Sequence, residues 1–117
     1  MNLGSIITRS ARYWADHIAV ADSQTRLTYA QLERRSNRLA SALGTLGVGV
    51  GEHVAILAAN RVELVEAEVA LYKAAMVKVP INARLSVDEV VRVLEDSCTV
   101  ALITDARFAE LLAARRA

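Results

Sequence analysis

Apolar residues first recur along the chain at helical spacing. Leu3, Ile6, Ile7 and the pair Tyr13-Trp14 predict a short amphipathic opening helix. Ile18-Ala19-Val20-Ala21 then reads as a strand, and polar Asp22–Thr25 separates it from Leu27-Thr28-Tyr29, the return of a β-hairpin. Thr28 and Gln31 form a T-x-x-Q capping box, a helix start in which each side chain satisfies an orphaned backbone N–H. Leu32, Leu39, Leu43 and Leu46 mark one face of that helix, and Gly47, followed by Gly49 and Gly51, supplies its stop.

From there strands and helices alternate. His53–Ala59 is almost unbroken apolar sequence, the pattern of a strand buried on both faces. Asn60 and Glu63 repeat the helix-start signal, with Val62, Val65, Val69 and Tyr72 predicted to face inward. Val77–Ile81 is the next short strand, with Pro80 near its end. Ser86 and Glu89 give another capping box, ahead of a helix whose inner face is Val87, Val90, Val91 and Leu94. Val100–Thr104 is a further buried strand and Ala106–Arg116 a closing helix. Such alternation predicts a three-layer α/β fold over residues 1–117, a parallel sheet with helices on both faces, preceded by a short helix and a β-hairpin. No linker or repeat divides the chain.

Composition narrows the function classes. At 117 residues the chain suits one domain or part of a larger one. It is 54% hydrophobic with only 4% aromatics, so its core is aliphatic, and so apolar a short chain suggests a face meant for a partner or a second copy. Charge is balanced at +1 with no basic stripe, which argues against nucleic-acid binding; Arg34-Arg35 and Arg115-Arg116 read as solvated helix faces. The opening helix carries two arginines and could rest on a membrane surface, but core packing is the preferred reading. No secretory signal and no spanning segment is evident, which predicts a cytoplasmic location.

Candidate chemistry is sparse. Cys98 stands alone, without a histidine or metal-ligand spacing, and reads as a half-buried structural thiol. The run Gly47–Gly51 leads from a helix into a strand, the reverse of a dinucleotide-binding turn, so it reads as a helix stop and a turn. His17 is placed at the end of the first helix and His53 at the exposed edge of a strand, neither catalytic. Asp105 follows a strand at what would be the carboxyl end of the sheet, but also makes a plain N-cap. No catalytic or metal-ligating set emerges. On these patterns alone, an unrelated flavodoxin-like domain is the remote alternative, and it lacks the acidic cluster or phosphate loop such a domain needs.

Several short motifs, taken in order, point further. Leu27-Thr28-Tyr29-Ala30-Gln31-Leu32, Leu46-Gly47-Val48 with Gly51-Glu52-His53-Val54-Ala55, Asn60-Arg61-Val62-Glu63-Leu64 and Leu71–Asn82 resemble the opening elements of the adenylate-forming superfamily. Leu94–Ser97 and Leu102–Asp105 match the segment that follows, and the ending Pro80–Leu85 is most similar to fatty-acyl-CoA synthetases. The resemblance implies the first subdomain of an ATP-dependent ligase for a fatty or aryl carboxylic acid. Its members form an acyl-adenylate from ATP with Mg²⁺ and pass the acyl group to coenzyme A. It also implies that the phosphate loop and catalytic lysine lie outside these residues, so that this chain alone is inactive. A stand-alone binding or self-association module is the alternative. One residue is implicated: Arg84 matches the position whose arginine lies near the phosphates of coenzyme A, while a surface arginine before a helix cap is the plain alternative. Ala75 stands where the family usually has Gly, and its methyl group is expected to crowd a helix–strand contact.

Overall fold

The computed structural model describes residues 3–57 and 62–116. Helix α1 (Leu3–Tyr13) is followed by the hairpin β1 (Ile18–Ala21) and β2 (Arg26–Thr28), and then by α2 (Tyr29–Thr45). Next come β3 (His53–Leu57), α3 (Val62–Lys73), β4 (Val77–Pro80), α4 (Val87–Asp96), β5 (Thr99–Thr104) and α5 (Ala106–Arg116). The three-layer prediction holds. Strands β4-β3-β5 form a parallel sheet, with β3 in the middle, and β1 and β2 pair antiparallel as a separate ribbon.

The period-2 geometry of β3 divides the core. Val54 and Ile56 face α2 and α3, where they meet Leu43, Ala67, Leu71 and Met76. Ala55 and Leu57 face the other way, toward Val90, Val93 and Leu94 of α4 and Phe108 of α5. All four β3 residues are buried, as the unbroken apolar run requires. A further cluster joins Leu27 of the hairpin and Leu32 of α2 to Val62 and Val69 of α3, with Ile7 of α1 packed on it. Helix α2 thus serves two clusters, Leu32 in one and Leu43 in the other.

The capping boxes form as predicted. The Gln31 N–H donates to Thr28 Oγ1 at 3.2 Å and the Thr28 N–H donates to Gln31 Oε1 at 2.9 Å, so Tyr29 opens α2 instead of ending β2. Ser86 and Glu89 repeat the arrangement at α4, with distances of 3.0 and 3.2 Å. Ala58, Ala59 and the proposed cap Asn60 lie outside the described residues. What the structure shows at the start of α3 is a long-range partner. Asp22 Oδ2, from the hairpin turn, accepts the Val62 N–H at 3.1 Å while its Oδ1 accepts from Gln24 and Thr25, each at 2.8 Å.

Helix ends bring corrections. Leu46, expected on the buried face of α2, is the exposed C-cap, because the helix stops one residue before it. Gly47 then takes φ 95°, and the N–H groups of Gly47 and Val48 donate to the carbonyls of Gly44 and Leu43. The end of α3 repeats this geometry without glycine. Ala75 sits at φ 54°, its N–H donating to Tyr72 O at 3.3 Å and that of Met76 to Leu71 O at 3.0 Å. Its methyl group is exposed, so the expected crowding does not occur; the penalty is left-handed backbone strain instead. Cys98 takes the same place after α4 at φ 55°. The predicted half-buried thiol is therefore exposed, since a residue in this position turns away from the core.

Candidate functional site

Ligands of parallel α/β sheets sit beyond the carboxyl ends of the strands. There the Thr104 hydroxyl donates to the Leu57 carbonyl at 2.7 Å, locking the ends of β5 and β3 together. Past β4, the Ile81 N–H donates to the Ile56 carbonyl at 3.0 Å and its side chain is buried in the core. Asn82 then folds the chain on itself. Its side-chain oxygen accepts the Arg84 N–H at 2.9 Å and its carbonyl accepts the Leu85 N–H at 3.2 Å. Leu85 packs against the same core cluster, and Ser86 caps α4.

Arg84 therefore stands exposed at the tip of a turn clamped on both sides, by Ile81 and by Leu85. It has no ion-pair partner among the described residues. A fixed backbone beneath an uncommitted guanidinium fork suits recognition of a phosphate. Nearby, Glu89 is held below the ordinary carboxyl value by the hydrogen bonds it makes with the Ser86 backbone and side chain, so its charge belongs to the helix cap.

The other sequence candidates are committed elsewhere. Asp105 Oδ1 accepts the Phe108 N–H at 2.9 Å and is the N-cap of α5. His53 does not lie at an exposed sheet edge; it opens the central strand, half-buried, with Nδ1 2.6 Å from the Ser97 carbonyl oxygen. His17 is exposed and lies in the turn after α1, not on the helix. Gly49 sits in a turn where its N–H donates to Glu52 Oε1 at 2.6 Å, so the glycine run holds no anion cradle. Among the described residues no three His, Cys, Asp or Glu side chains gather to hold a metal. Cys98 lines an open, largely apolar groove of about 840 Å³ between α4, β5 and α5, without a histidine in its lining.

A polar network had no counterpart in the sequence reading. Lys73 Nζ, at the end of α3, donates to the Glu33 carboxylate, to Ser36 Oγ at 2.8 Å and to Asn37 Oδ1 at 2.9 Å on α2. Thr8 of α1 donates to the same Glu33 oxygen at 3.0 Å. The positions 33, 36 and 37 recur at helical spacing, a polar stripe that marks the contact in hindsight. At Gly4 a β-carbon would lie 2.5 Å from Lys73 Cγ, so α1 can approach α3 closely only without a side chain there. Arg35 and Glu66, 2.8 Å apart, add a second tie between α2 and α3. At Lys78, burial works against the charge, but Glu68 and Tyr72 outweigh it and hold the ammonium above the usual lysine value.

A family model for AMP-binding enzymes matches residues 7–117. The chain belongs to the AMP-binding enzyme family. Among curated AMP-binding relatives, it is 42% identical over 112 residues to a feruloyl-CoA synthase of Amycolatopsis sp, covering 96% of this chain and 23% of that one. It is 33% identical over 113 residues to a 3-oxocholest-4-en-26-oate–CoA ligase of Rhodococcus rhodochrous, covering 97% and 20%. The N-terminal domain of FACL13 from Mycobacterium tuberculosis superposes with a TM-score of 0.91 at 34% identity, over 100% of this chain and 30% of that domain. The chain thus matches the N-terminal part of acyl-CoA ligases and spans about a fifth of the length of the curated relatives it matches.

Proposed function

We propose that these residues form the first subdomain of an ATP-dependent acid–CoA ligase and that Arg84 contacts the phosphates of coenzyme A in it. Arg84 carries the reading: within a family segment of this kind, it is an exposed guanidinium, without an ion pair among the described residues, on a hydrogen-bonded turn beyond the carboxyl end of β4. In the reaction, a carboxylate oxygen attacks the α-phosphorus of ATP, the bond to the β-phosphate oxygen breaks, and pyrophosphate leaves. The thiol sulfur of coenzyme A then attacks the acyl carbon and AMP departs. Mg²⁺, if bound in the whole ligase, would supply charge neutralisation at the phosphates; among the described residues no acidic set gathers to hold it. The chain's own contribution falls in the second step, where a forked cation orients a phosphorylated thiol.

The relatives named for ferulate and for a steroid acid support a substrate with a carboxylate on a large apolar body, a fatty or aryl acid. A cytoplasmic site of action fits the supply of ATP and coenzyme A. No described helix is long and apolar enough to cross a membrane. The open groove beside β5 supports the reading that more of the ligase packs there; light scattering on the chain alone tests self-association through the same face.

In the whole ligase, Arg84→Ala is expected to raise KM for coenzyme A about 10-fold or more, the loss of a charged hydrogen bond, with ATP–pyrophosphate exchange unchanged. Equal losses in both half-reactions, or none in either, would contradict the assignment. The isolated chain is expected to show no exchange with any carboxylic acid, and measurable exchange would overturn that part of the reading.

A further inference from the structure

Apolar side chains anchor both ends of the turn that carries Arg84, but a polar group shapes its tip. Ile81 and Leu85 reach the core and fix where the turn begins and ends. Between them Asn82, Ala83 and Arg84 are exposed, so packing does not decide the path of the backbone there. Asn82 decides it. Its side-chain oxygen accepts the Arg84 N–H at 2.9 Å, an Asx turn, and its backbone carbonyl accepts the Leu85 N–H at 3.2 Å. One residue thus closes two nested rings, and the inner ring ends on the amide of Arg84 itself. Holding that backbone leaves the guanidinium less freedom to lose when its fork meets a ligand.

We propose that Asn82 is a positioning residue, which aims Arg84 and, as a neutral acceptor, does so without adding negative charge to a phosphate site. The inference rests on the reading of Arg84 as a contact for the phosphates of coenzyme A. A carboxylate would close the same turn, so hydrogen bonding alone does not favour an amide. Charge does. The first turn of α4, which follows directly, already carries Asp88 and Glu89. A further carboxylate at position 82, bonded to the Arg84 N–H, would offset the guanidinium charge and repel the phosphates that it meets. The amide of Asn82 makes the same bond and leaves the positive charge of Arg84 in force.

The test is the dependence of thioester formation on coenzyme A in the whole ligase. Asn82→Ala removes the acceptor and is expected to raise KM for coenzyme A about 3- to 10-fold, the worth of one hydrogen bond, with kcat held at saturating coenzyme A. Asn82→Ser, whose hydroxyl oxygen accepts the same N–H, should recover most of that loss. Asn82→Asp keeps the turn but should also raise KM, and its gap from the unmodified enzyme should narrow at high salt. In an Arg84→Ala background, Asn82→Ala should add nothing. If Arg84→Ala raises KM and Asn82→Ala does not, the positioning role is overturned while the coenzyme A contact stands. A further loss in the double variant overturns it too, since Asn82 would then act apart from Arg84. An Asn82→Asp enzyme equal to the unmodified one overturns the charge argument. If Arg84→Ala itself leaves KM unmoved, the reading of the site fails and this inference with it. Asn82 is exposed, so its variants spare the core; should Asn82→Ala fail to fold, the serine and aspartate variants decide the matter.

Discussion

Ala75→Gly should stabilise the protein. Ala75 occupies the left-handed position after α3 at φ 54°. An L-residue there costs roughly 1–2 kcal/mol relative to ordinary backbone. Glycine removes that strain but adds freedom to the unfolded chain, which returns about 0.4–1 kcal/mol. The methyl group is exposed, so little burial is lost, and the closing hydrogen bonds, including Gly51 N–H to Ala75 O at 2.8 Å, are made by the backbone. The net expectation is a gain of about 0.5–1 kcal/mol, or about 2–5 °C in Tm for a domain of this size, measured by urea and thermal unfolding. Gly47→Ala should do the reverse: φ there is 95° and a β-carbon would meet nothing within 4 Å, so its cost isolates the backbone effect. Ala75→Asn separates strain from crowding, because asparagine is larger yet tolerates the left-handed region. An asparagine variant well below wild type, or a glycine variant no more stable than wild type, would refute the strain argument.

Other perturbations follow from the same contacts. Asp22→Ala should cost about 1–2 kcal/mol, the worth of a lost helix cap, and should loosen amide-exchange protection at the start of α3, where the Val62 N–H loses its acceptor. Lys73→Met should destabilise by about 2–4 kcal/mol, since it strands the part-buried Glu33 carboxylate, and adding Glu33→Gln should recover most of the loss in denaturant titrations. Glu89 has a folded pKa below its ordinary 4.5, so its contribution to stability is complete above that value and disappears as pH falls through the depressed folded value. In Glu89→Gln this component of the acid dependence should vanish from stability measured against pH.

Much of the fold was legible because local signals and burial agree here. The apolar run of β3 could only be a strand covered on both faces, and the two capping boxes fixed where α2 and α4 begin. Errors gathered where tertiary partners override local pattern. Leu46 continues the leucine spacing of α2, but the glycine stop places it beyond the helix. Asp22 reads as a turn residue, and nothing local announces that it also caps α3, 40 positions along the chain. The half-buried expectation for Cys98 failed because its left-handed backbone turns it outward. For the site, the sequence could name Arg84 only through resemblance. Its exposure and the clamp on its turn depend on Ile81 and Leu85 reaching the core, which spacing does not reveal. The Lys73 network was hidden for a similar reason: its partners lie on another helix, 36 to 40 positions away.

The central claim is that these residues are the first subdomain of an acid–CoA ligase, serving the thioester step through Arg84. A chimera tests it most directly, with this chain replacing the matching segment of the feruloyl-CoA synthase to which it is 42% identical. Exchange of pyrophosphate into ATP and formation of the thioester are then followed separately in one preparation. The account predicts both activities in the chimera, and in its Arg84→Ala form intact exchange with a thioester step that needs about 10-fold more coenzyme A. A folded chimera that performs neither half-reaction, or an Arg84→Ala form whose exchange and thioester formation fall together, would contradict it.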